Sequence, residues 1–246
     1  MKQALGPLLL VLVTASLVPN VGRAGEWGIG IGIAAHQPPQ QGADIEIDGG
    51  PFPFYEGDRL SLSFGSVSYR LIDLKGFQLA LEGQARFDGF DPKGNSALAG
   101  MQKRNPALDA GFSLATSGRW GAAQLRFLGD VTGTHQGYEI AASYQVPYQS
   151  GRWTVVPSIE LKWRSADLVD YYYGVRVSEA NATRPAYAAG RATNISAGLT
   201  AAYKLTQRWQ ILAGAEYLRL DDSIKSSPII EKNHEASIFS ALIYRF

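Results

Sequence analysis

Three histidines are the first residues of this sequence to suggest catalysis: His36, His135 and His234. A hydrolase needs a histidine base within hydrogen-bond reach of its nucleophile and a carboxylate behind that base. Asp130 and Ser143 flank His135 along the chain, yet the segment has no recognisable spacing from histidine to serine. Single histidines in loops are usually solvated. We therefore predict no catalytic residues and a protein that is not an enzyme.

The sequence also lacks the patterns that hold metals, cofactors or nucleic acid. It contains no cysteine, which excludes disulfides, thiol catalysis and cysteine-rich zinc sites. Residues 28–32 alternate glycine and isoleucine, but they lack the phosphate-binding spacing and no helix follows them. A formal net charge of +1 argues against electrostatic binding of nucleic acid. We expect no cofactor, no metal site and no nucleic-acid partner.

The elements that would position any functional side chain are predicted by alternation. From Trp153 to Arg164, apolar side chains at odd positions alternate with mostly polar ones at even positions. A strand with one face in lipid and the other in a lumen separates them in this way, whereas a helix would mix them. A loss of phase near Gly65 and Ser66 suggests a bulge. Similar segments occur near residues 27–35, 59–72, 76–88, 107–117, 119–130, 137–147, 192–204, 208–220 and 236–246.

The connections between these segments alternate in length, as they do in outer-membrane barrels with short periplasmic turns and long outer loops. Every segment predicted to run outward begins with a large aromatic residue beside a short turn, where an interfacial girdle belongs. These residues are Trp27, Phe77, Trp120, Trp153 and Trp209. A soluble β-sandwich, the alternative, has no reason to collect tryptophans at one end of alternate strands.

We therefore predict an all-β protein, an antiparallel transmembrane outer-membrane β-barrel of about ten strands from Trp27 to Phe246. Pairing of the first and last strands would close it. Twelve strands is the alternative, if part of 40–56 or 171–180 also pairs.

Both ends of the chain agree with export to the cell outer membrane. Lys2 precedes an apolar run from residue 8 to residue 17, which is shorter than the ~20 apolar residues that a spanning helix needs. Small residues up to Ala24 complete a signal peptide, so we predict cleavage after residue 24 and a barrel over 25–246. The last strand, closing on Tyr244 and Phe246, resembles the assembly signal of outer-membrane barrels.

The predicted inward face is rich in charge: Glu82, Arg86, Asp109, Gln124, Arg126, Asp130, Glu139, Glu160, Lys162, Arg164 and Glu216. One interpretation is a charged pore lining. The other is an ionic network that fills the lumen. We favour the network, because barrels of ~8 strands are just wide enough for side chains and ten strands are only slightly wider. Slow passage of a small solute stays an alternative.

Four tyrosines and a glycine share the predicted loop 167–191: Tyr171, Tyr172, Tyr173, Gly174 and Tyr187. Exposed together, the tyrosines would form a sticky patch, so we expect either a partner or burial. Their hydroxyl groups need polar partners, and the lumen rim offers Arg164, Glu139 and Asp130. Because Gly174 permits a tight bend, we predict a lid across the outer mouth beside Ser227 and Pro228. The alternative is an extended adhesive loop.

Several motifs follow one another along the downstream part of the chain: Asp130 with 133–137, Gly151-Arg152-Trp153 with Pro157, 170–175, 184–187, 227–230 and 244–246. Together they resemble the MipA/OmpV family of outer-membrane proteins, also called the MltA-interacting protein family. They cover about half of the predicted mature chain, and an upstream stretch at 53–58 matches loosely.

The resemblance implies an outer-membrane barrel in contact with lipid, and the family name implies a scaffold. The namesake interacts with a murein-cleaving lytic transglycosylase, so the implied partners are a murein lytic transglycosylase and a murein synthase. Other members suggest a narrow porin-like channel or a surface adhesin. The predicted periplasmic turns are short for a scaffold, since specific interfaces bury about 800 Å² per partner.

Overall fold

The computed structural model describes residues 25–246 except Lys75. The predicted signal peptide, 1–24, lies outside the described residues. The strands are β1 (Glu26–Gln37), β2 (Glu46–Glu56), β3 (Leu60–Ser63), β4 (Ser66–Leu74), β5 (Phe77–Arg86), β6 (Ala107–Gly118), β7 (Gly121–Asp130), β8 (Tyr138–Gln145), β9 (Tyr148–Ser150), β10 (Trp153–Arg164), β11 (Ala192–Lys204), β12 (Trp209–Arg219) and β13 (His234–Arg245).

These strands form one closed antiparallel barrel. Each pairs with its neighbour in the chain, and β1 pairs with β13 from Gly28↔Arg245 to Gln37↔Ala236. β8 and β9 lie end to end along β10 and act as one interrupted strand. Over the described residues the barrel therefore has twelve strands. The predicted antiparallel barrel is confirmed, ten strands is wrong, and the alternative count of twelve is right.

The two additional strands come from different sources. Part of 40–56 pairs as β2, which was one condition of the twelve-strand alternative. The other condition is wrong, because the segment 171–180 is largely helical. The predicted segment 59–72 instead divides into β3 and β4, and Gly65 takes the positive φ of 73° that this turn requires. The loss of phase there is thus a turn rather than a bulge; a register shift does occur lower in β4, at Arg70/Ile72.

The aromatic girdle lies at the end of the barrel that carries the short turns. Its five side chains are 41–55% exposed: Trp27, Phe77, Trp120, Trp153 and Trp209. Trp209 packs on Tyr244 with ring centroids 4.8 Å apart, and the N–H of Phe246 bonds to the carbonyl of Trp27. Because short turns and chain termini are periplasmic in such barrels, we call this the periplasmic end and the opposite end, with the long loops, the outer end.

The outer loops contain helical segments. These are α1 (Ala166–Tyr173), α2 (Asp222–Lys225) and two short 3₁₀ turns, Ser96–Leu98 and Val177–Glu179. Among the residues the structure describes, no helix is long and apolar enough to cross a membrane.

Candidate functional site

The outer end of the barrel is covered by a hydrophobic core built from loops, which we call the lid. It joins residues of the loops 87–106, 165–191 and 220–233 with the outer ends of β11 and β12. Its buried members are Leu98, Met101, Leu168, Val169, Tyr172, Tyr173, Val175, Ala189, Ala192, Leu218, Leu220, Ile224, Ile229 and Ile230, with Phe90, Tyr171 and Tyr187 packed against them.

Helix α1 carries the central face of the lid. Leu168, Val169, Tyr172 and Tyr173 are buried at a spacing that places them on one face of a helix. The helix ends at Gly174, where an added Cβ would lie 2.4 Å from the carbonyl oxygen of Asp170, so the chain can leave the helix in this way only with glycine at this position. The first part of the predicted loop 167–191 is thus a helix. Gly174 has a φ of −75°, so its role is close approach to the backbone rather than a tight bend.

The lid tyrosines bond mainly to backbone groups. The Tyr171 hydroxyl accepts from the N–H of Asn105 (3.0 Å), and that of Tyr172 donates to the Asn105 carbonyl (3.3 Å). Tyr187 donates to the carbonyl of Ser223 (2.9 Å). Burial raises the pKa of Tyr172 and of Tyr173, which keeps both phenols neutral. The sequence suggested that the tyrosine hydroxyl groups would bond to charged residues of the lumen rim. Those of Tyr171 and Tyr172 bond to the backbone of Asn105 instead.

Ser227 and Pro228 lie in the loop that closes over α1. The Ser227 hydroxyl donates to the carbonyl of Tyr173 at 2.5 Å and is buried. Pro228 is half-buried beside Ile229, a fully buried member of the lid. The structure therefore brings the 171–173 tyrosines and the 227–228 segment together.

A buried ion pair that sequence reasoning missed ties two lid loops together. Arg104 and Glu179 make two N–H···O bonds of 2.8 Å, and each side chain is 1% exposed. Burial disfavours the Glu179 carboxylate, but hydrogen bonds from Arg104 and the backbone outweigh it and lower its pKa to about 2. Arg184 adds bonds of 2.9 Å to the carbonyls of Ala97 and Ala99. These partners lie far apart in sequence, so no spacing could have predicted them.

Directly below the lid lies a buried ionic network. Arg86 bonds to Asp109 (2.7 Å) and Glu139 (3.3 Å), and Arg164 bonds to Glu139 (2.9 Å) and Asp88 (3.2 Å). Burial opposes the charge of Asp88, but Arg164 and Arg86 outweigh it and lower its pKa. Asp88 stands two residues after Arg86 on the same chain segment, and the sequence prediction omitted it.

Asp130 is not part of this network, although the sequence suggested that it was. Its carboxylate accepts the backbone N–H groups of Thr132, His135 and Gln136 at 2.7–2.8 Å. Asp130 thus caps the loop 131–136, a short-range role that Asp adopts where a strand gives way to a tight turn.

His135 is buried, so the prediction of a solvated histidine is wrong at this position. Its Nε2 lies 2.9 Å from Asp109 Oδ1, and its Nδ1 accepts the N–H of Gly137 at 3.1 Å. Both ring nitrogens are therefore engaged, and neither has a lone pair available for a nucleophile. Ser143 lies further down the wall, opposite Gln124 and Glu160.

Carboxylate and imidazole atoms of Asp109, Asp130 and His135 lie within 4.8 Å of one another, a spacing that a metal ion could use. The two carboxylates, however, are already engaged by Arg86 and by the backbone N–H groups of the 131–136 loop. A guanidinium in contact with one ligand opposes a second cation there. Hydrogen-bond donors of the protein itself therefore satisfy the two carboxylates of this cluster.

Below the network the lumen opens into a cavity of about 260 Å³. One wall is charged: Glu82 accepts from Ser113 (2.5 Å), Lys162 pairs with Glu160 (2.9 Å), and Arg126 lies 3.5 Å from Glu160. Glu216 lines the same cavity. The predicted lumen residues apart from Asp130 thus belong to the buried network, to the cavity lining, or to both. Arg86, Glu139 and Arg164 of the network also line the top of the cavity.

The opposite wall of the cavity is apolar. The rings of Phe52 and Phe54 cover Gly30 and Gly28, where an added Cβ would come within 2.2 Å of a ring carbon. Phe239 covers Gly214 in the same way. The glycines at alternate positions of β1 therefore make room for aromatic rings, which form an apolar half-lining with Leu212 and Ile243.

The cavity reaches the periplasmic end, where Arg59 and Arg245 line it. Around this rim, three neighbouring turns carry exposed cations and no acidic residue: the turns after β6, before β10 and after β11. We call this set the basic crescent; it consists of Arg119, Arg152, Lys204 and Arg208.

The family model for MltA-interacting protein MipA matches residues 28–246. The chain belongs to the MipA family. The resemblance found in the sequence motifs is confirmed, and the match covers the whole barrel apart from its first residues.

Curated relatives of this MipA-family chain are named as outer-membrane proteins. It is 27% identical to outer membrane protein Omp26La of Vibrio anguillarum, over 78% of this chain and 76% of that protein. It is 27% identical to the putative outer membrane protein YiaT of Escherichia coli K12, over 91% and 92%. It is 25% identical to the MltA-interacting protein of the same strain, over 90% and 91%. With the closed barrel, these matches place the protein in the outer membrane.

Proposed function

We propose that this protein is a non-enzymatic scaffold that docks periplasmic murein enzymes at its periplasmic rim. The partners that the family suggests are a murein lytic transglycosylase and a murein synthase. Support comes from one relative, which is named MltA-interacting protein. The engaged nitrogens of His135 support the non-enzymatic part of the proposal.

The observation that carries the proposal is the contrast between a sealed outer end and a basic periplasmic rim. Exposed cations of the outer end are spread over two loops, whereas the four cations of the crescent lie on neighbouring turns that carry no acidic residue. Single turns are too small for an interface of about 800 Å². The crescent spans three turns, and its charge would steer an acidic partner surface into register.

The test is cross-linking in intact envelopes followed by identification of partners. Reversing the four crescent charges to Glu should abolish cross-links to murein enzymes. The matched control reverses exposed outer cations, Lys93, Lys103 and Arg191, and should retain them. Equal cross-linking by both variants would contradict docking at the crescent.

A narrow channel is the second candidate, because the cavity has a charged wall. Passage would require the lid and the ionic network to part. We therefore expect the wild-type barrel to be closed in planar bilayers. A steady conductance from the unmodified protein would favour the channel over the scaffold.

A further inference from the structure

One stretch of the barrel wall is paired on one side only. Residues 46–54 of β2 pair with β1 throughout, but β3 pairs only with the last two residues of β2. β3 turns back into β4 at Phe64 and Gly65, and the Gly65 carbonyl accepts the N–H of Ala85 on β5. Within the described part of the chain, no strand pairs with residues 46–54 on the side away from β1. We call these residues the β2 edge.

Two prolines of the β2 edge are consistent with a strand that has a partner on one side only. Pro51 and Pro53 occupy alternate positions, and the ladder between β2 and β1 continues past both of them. Proline has no N–H, so it is tolerated where that group would point away from the paired neighbour. An edge with missing donors is also a poor template for adding another strand. The sequence here favours an opening in the wall over a seam that pairs with a second chain.

The apolar half of the cavity lies behind this edge. Phe52 and Phe54 belong to β2 itself, and Phe64, at the β3–β4 turn, packs against the same apolar cluster. All three line the cavity. An alkyl chain that passed the edge would therefore meet aromatic rings first.

A cation with a free donor lines the same cavity. The Nε of Arg126 is buried and has no hydrogen-bond partner among the described residues. The contact of Arg126 with Glu160, at 3.5 Å, is longer than the Lys162–Glu160 pair at 2.9 Å. A buried guanidinium donor without an acceptor favours an incoming anionic group.

We propose that the β2 edge is a lateral portal through which a single-chain anionic amphiphile enters the cavity from the membrane. Its alkyl chain lies against Phe52, Phe54 and Phe64, and its head group bonds to Arg126. The cavity of about 260 Å³ is close to the lower limit of ~300 Å³ for small-molecule sites, which suits one chain better than two. The lid closes the outer exit, so the ligand is held below it.

The experiment uses the full barrel in lipid nanodiscs with dodecanoic acid that carries a terminal diazirine. After irradiation, mass spectrometry maps the adducts. We expect adducts on the lumen-facing Phe52 and Phe54 as well as on lipid-facing residues such as Ile31. Adducts confined to lipid-facing residues would overturn the proposal.

Two variants test the portal and the head-group site separately. Gly50→Leu adds a side chain at the β2 edge, where a Cβ meets nothing within 4 Å; it should lower lumen adducts at least fivefold. Gly129→Leu adds the same side chain to the lipid face of the far wall; as a control it should leave them unchanged. Arg126→Gln should lower labelling by the acid but not by a dodecanol probe of the same length. Unchanged lumen adducts in Gly50→Leu would contradict the portal. Equal loss of labelling by both probes in Arg126→Gln would contradict the anionic head-group site.

A second pair of probes identifies the head group. A lysophosphatidylglycerol with the same chain and diazirine replaces the fatty acid, and a diacyl phosphatidylglycerol serves as comparison. Stronger lumen labelling by either single-chain probe supports the proposal and names the carboxylate or the phosphate. Lumen labelling by the diacyl lipid at the single-chain level contradicts it. The docking proposal is untouched by either result, since the crescent lies outside the cavity.

Discussion

The two ends of this barrel are formed by the same strands but differ in the length of the loops that connect them. At the outer end, loops long enough to carry apolar residues fold into a dry core above a paired ionic network. At the periplasmic end, turns of a few residues leave an open cavity and exposed cations. A turn that short cannot bury a side chain against another turn. Loop length thus decides which end is sealed and which end can receive a partner.

The sharpest test of this comparison is the buried pair of the lid. Arg104→Ala should destabilise the protein by about 3–5 kcal/mol, because Glu179 would stay buried without its partner. Lys103→Ala is the matched control: its pair with Asp91 is half-exposed at 4.0 Å and should contribute at most ~1 kcal/mol. Urea unfolding in phospholipid vesicles measures both. A similar cost for the two variants would break the distinction between the buried core of the lid and its exposed surface.

Truncation of an apolar side chain should also cost more stability at the outer end than at the periplasmic end. Leu168→Ala removes a fully buried lid side chain and should cost about 2–5 kcal/mol. Leu205→Ala, in a periplasmic turn and 38% exposed, should stay within ~0.5 kcal/mol. Limited proteolysis at the outer loops gives a second readout, since only the first change should increase cleavage there.

Acid should open the outer end before the barrel unfolds. The pKa of Glu179 is lowered from 4.5 to about 2, so its carboxylate stabilises the folded lid fully above pH 4.5. That stabilisation, on the order of 3 kcal/mol for a shift of this size, is lost as pH falls from 4.5 through about 2. Near-ultraviolet circular dichroism of the lid tyrosines should follow the loss. Glu179→Gln should flatten this dependence; an unchanged acid transition in that variant would contradict the assignment.

The smallest expected effect concerns a single lid hydrogen bond. Tyr187→Phe keeps the ring but leaves the Ser223 carbonyl without its donor, at a cost of about 1 kcal/mol. Tyr148→Phe, an exposed residue of the periplasmic end, should have no measurable effect on urea unfolding. A cost for Tyr148 equal to that for Tyr187 would weaken the contrast.

Residues of the lid illustrate how far sequence reasoning reached. The prediction for 167–191 named the tyrosines and their neighbours at 227–228, because four aromatic rings on one loop demand burial. It missed helix α1, since eight residues that end in three tyrosines, a residue type enriched in strands, carry little helical signal without their packing partners. His135 was read as a solvated loop residue for the same reason: its partners, Asp109 and Gly137, are defined only by the closed barrel.

The sequence by itself determined the features that repeat at short range. Alternation within each strand specified a lipid face and a lumen face. The alternating loop lengths and the girdle aromatics specified the direction of the predicted segments. The tertiary structure decided what depends on loops far apart in the chain. Arg104 and Glu179 are separated by 75 residues, and β2 lacks a second partner only because β3 turns back after four residues. Strand periodicity is a local property of the chain, whereas the lid and the β2 edge arise only when the barrel closes and brings its loops and edges together.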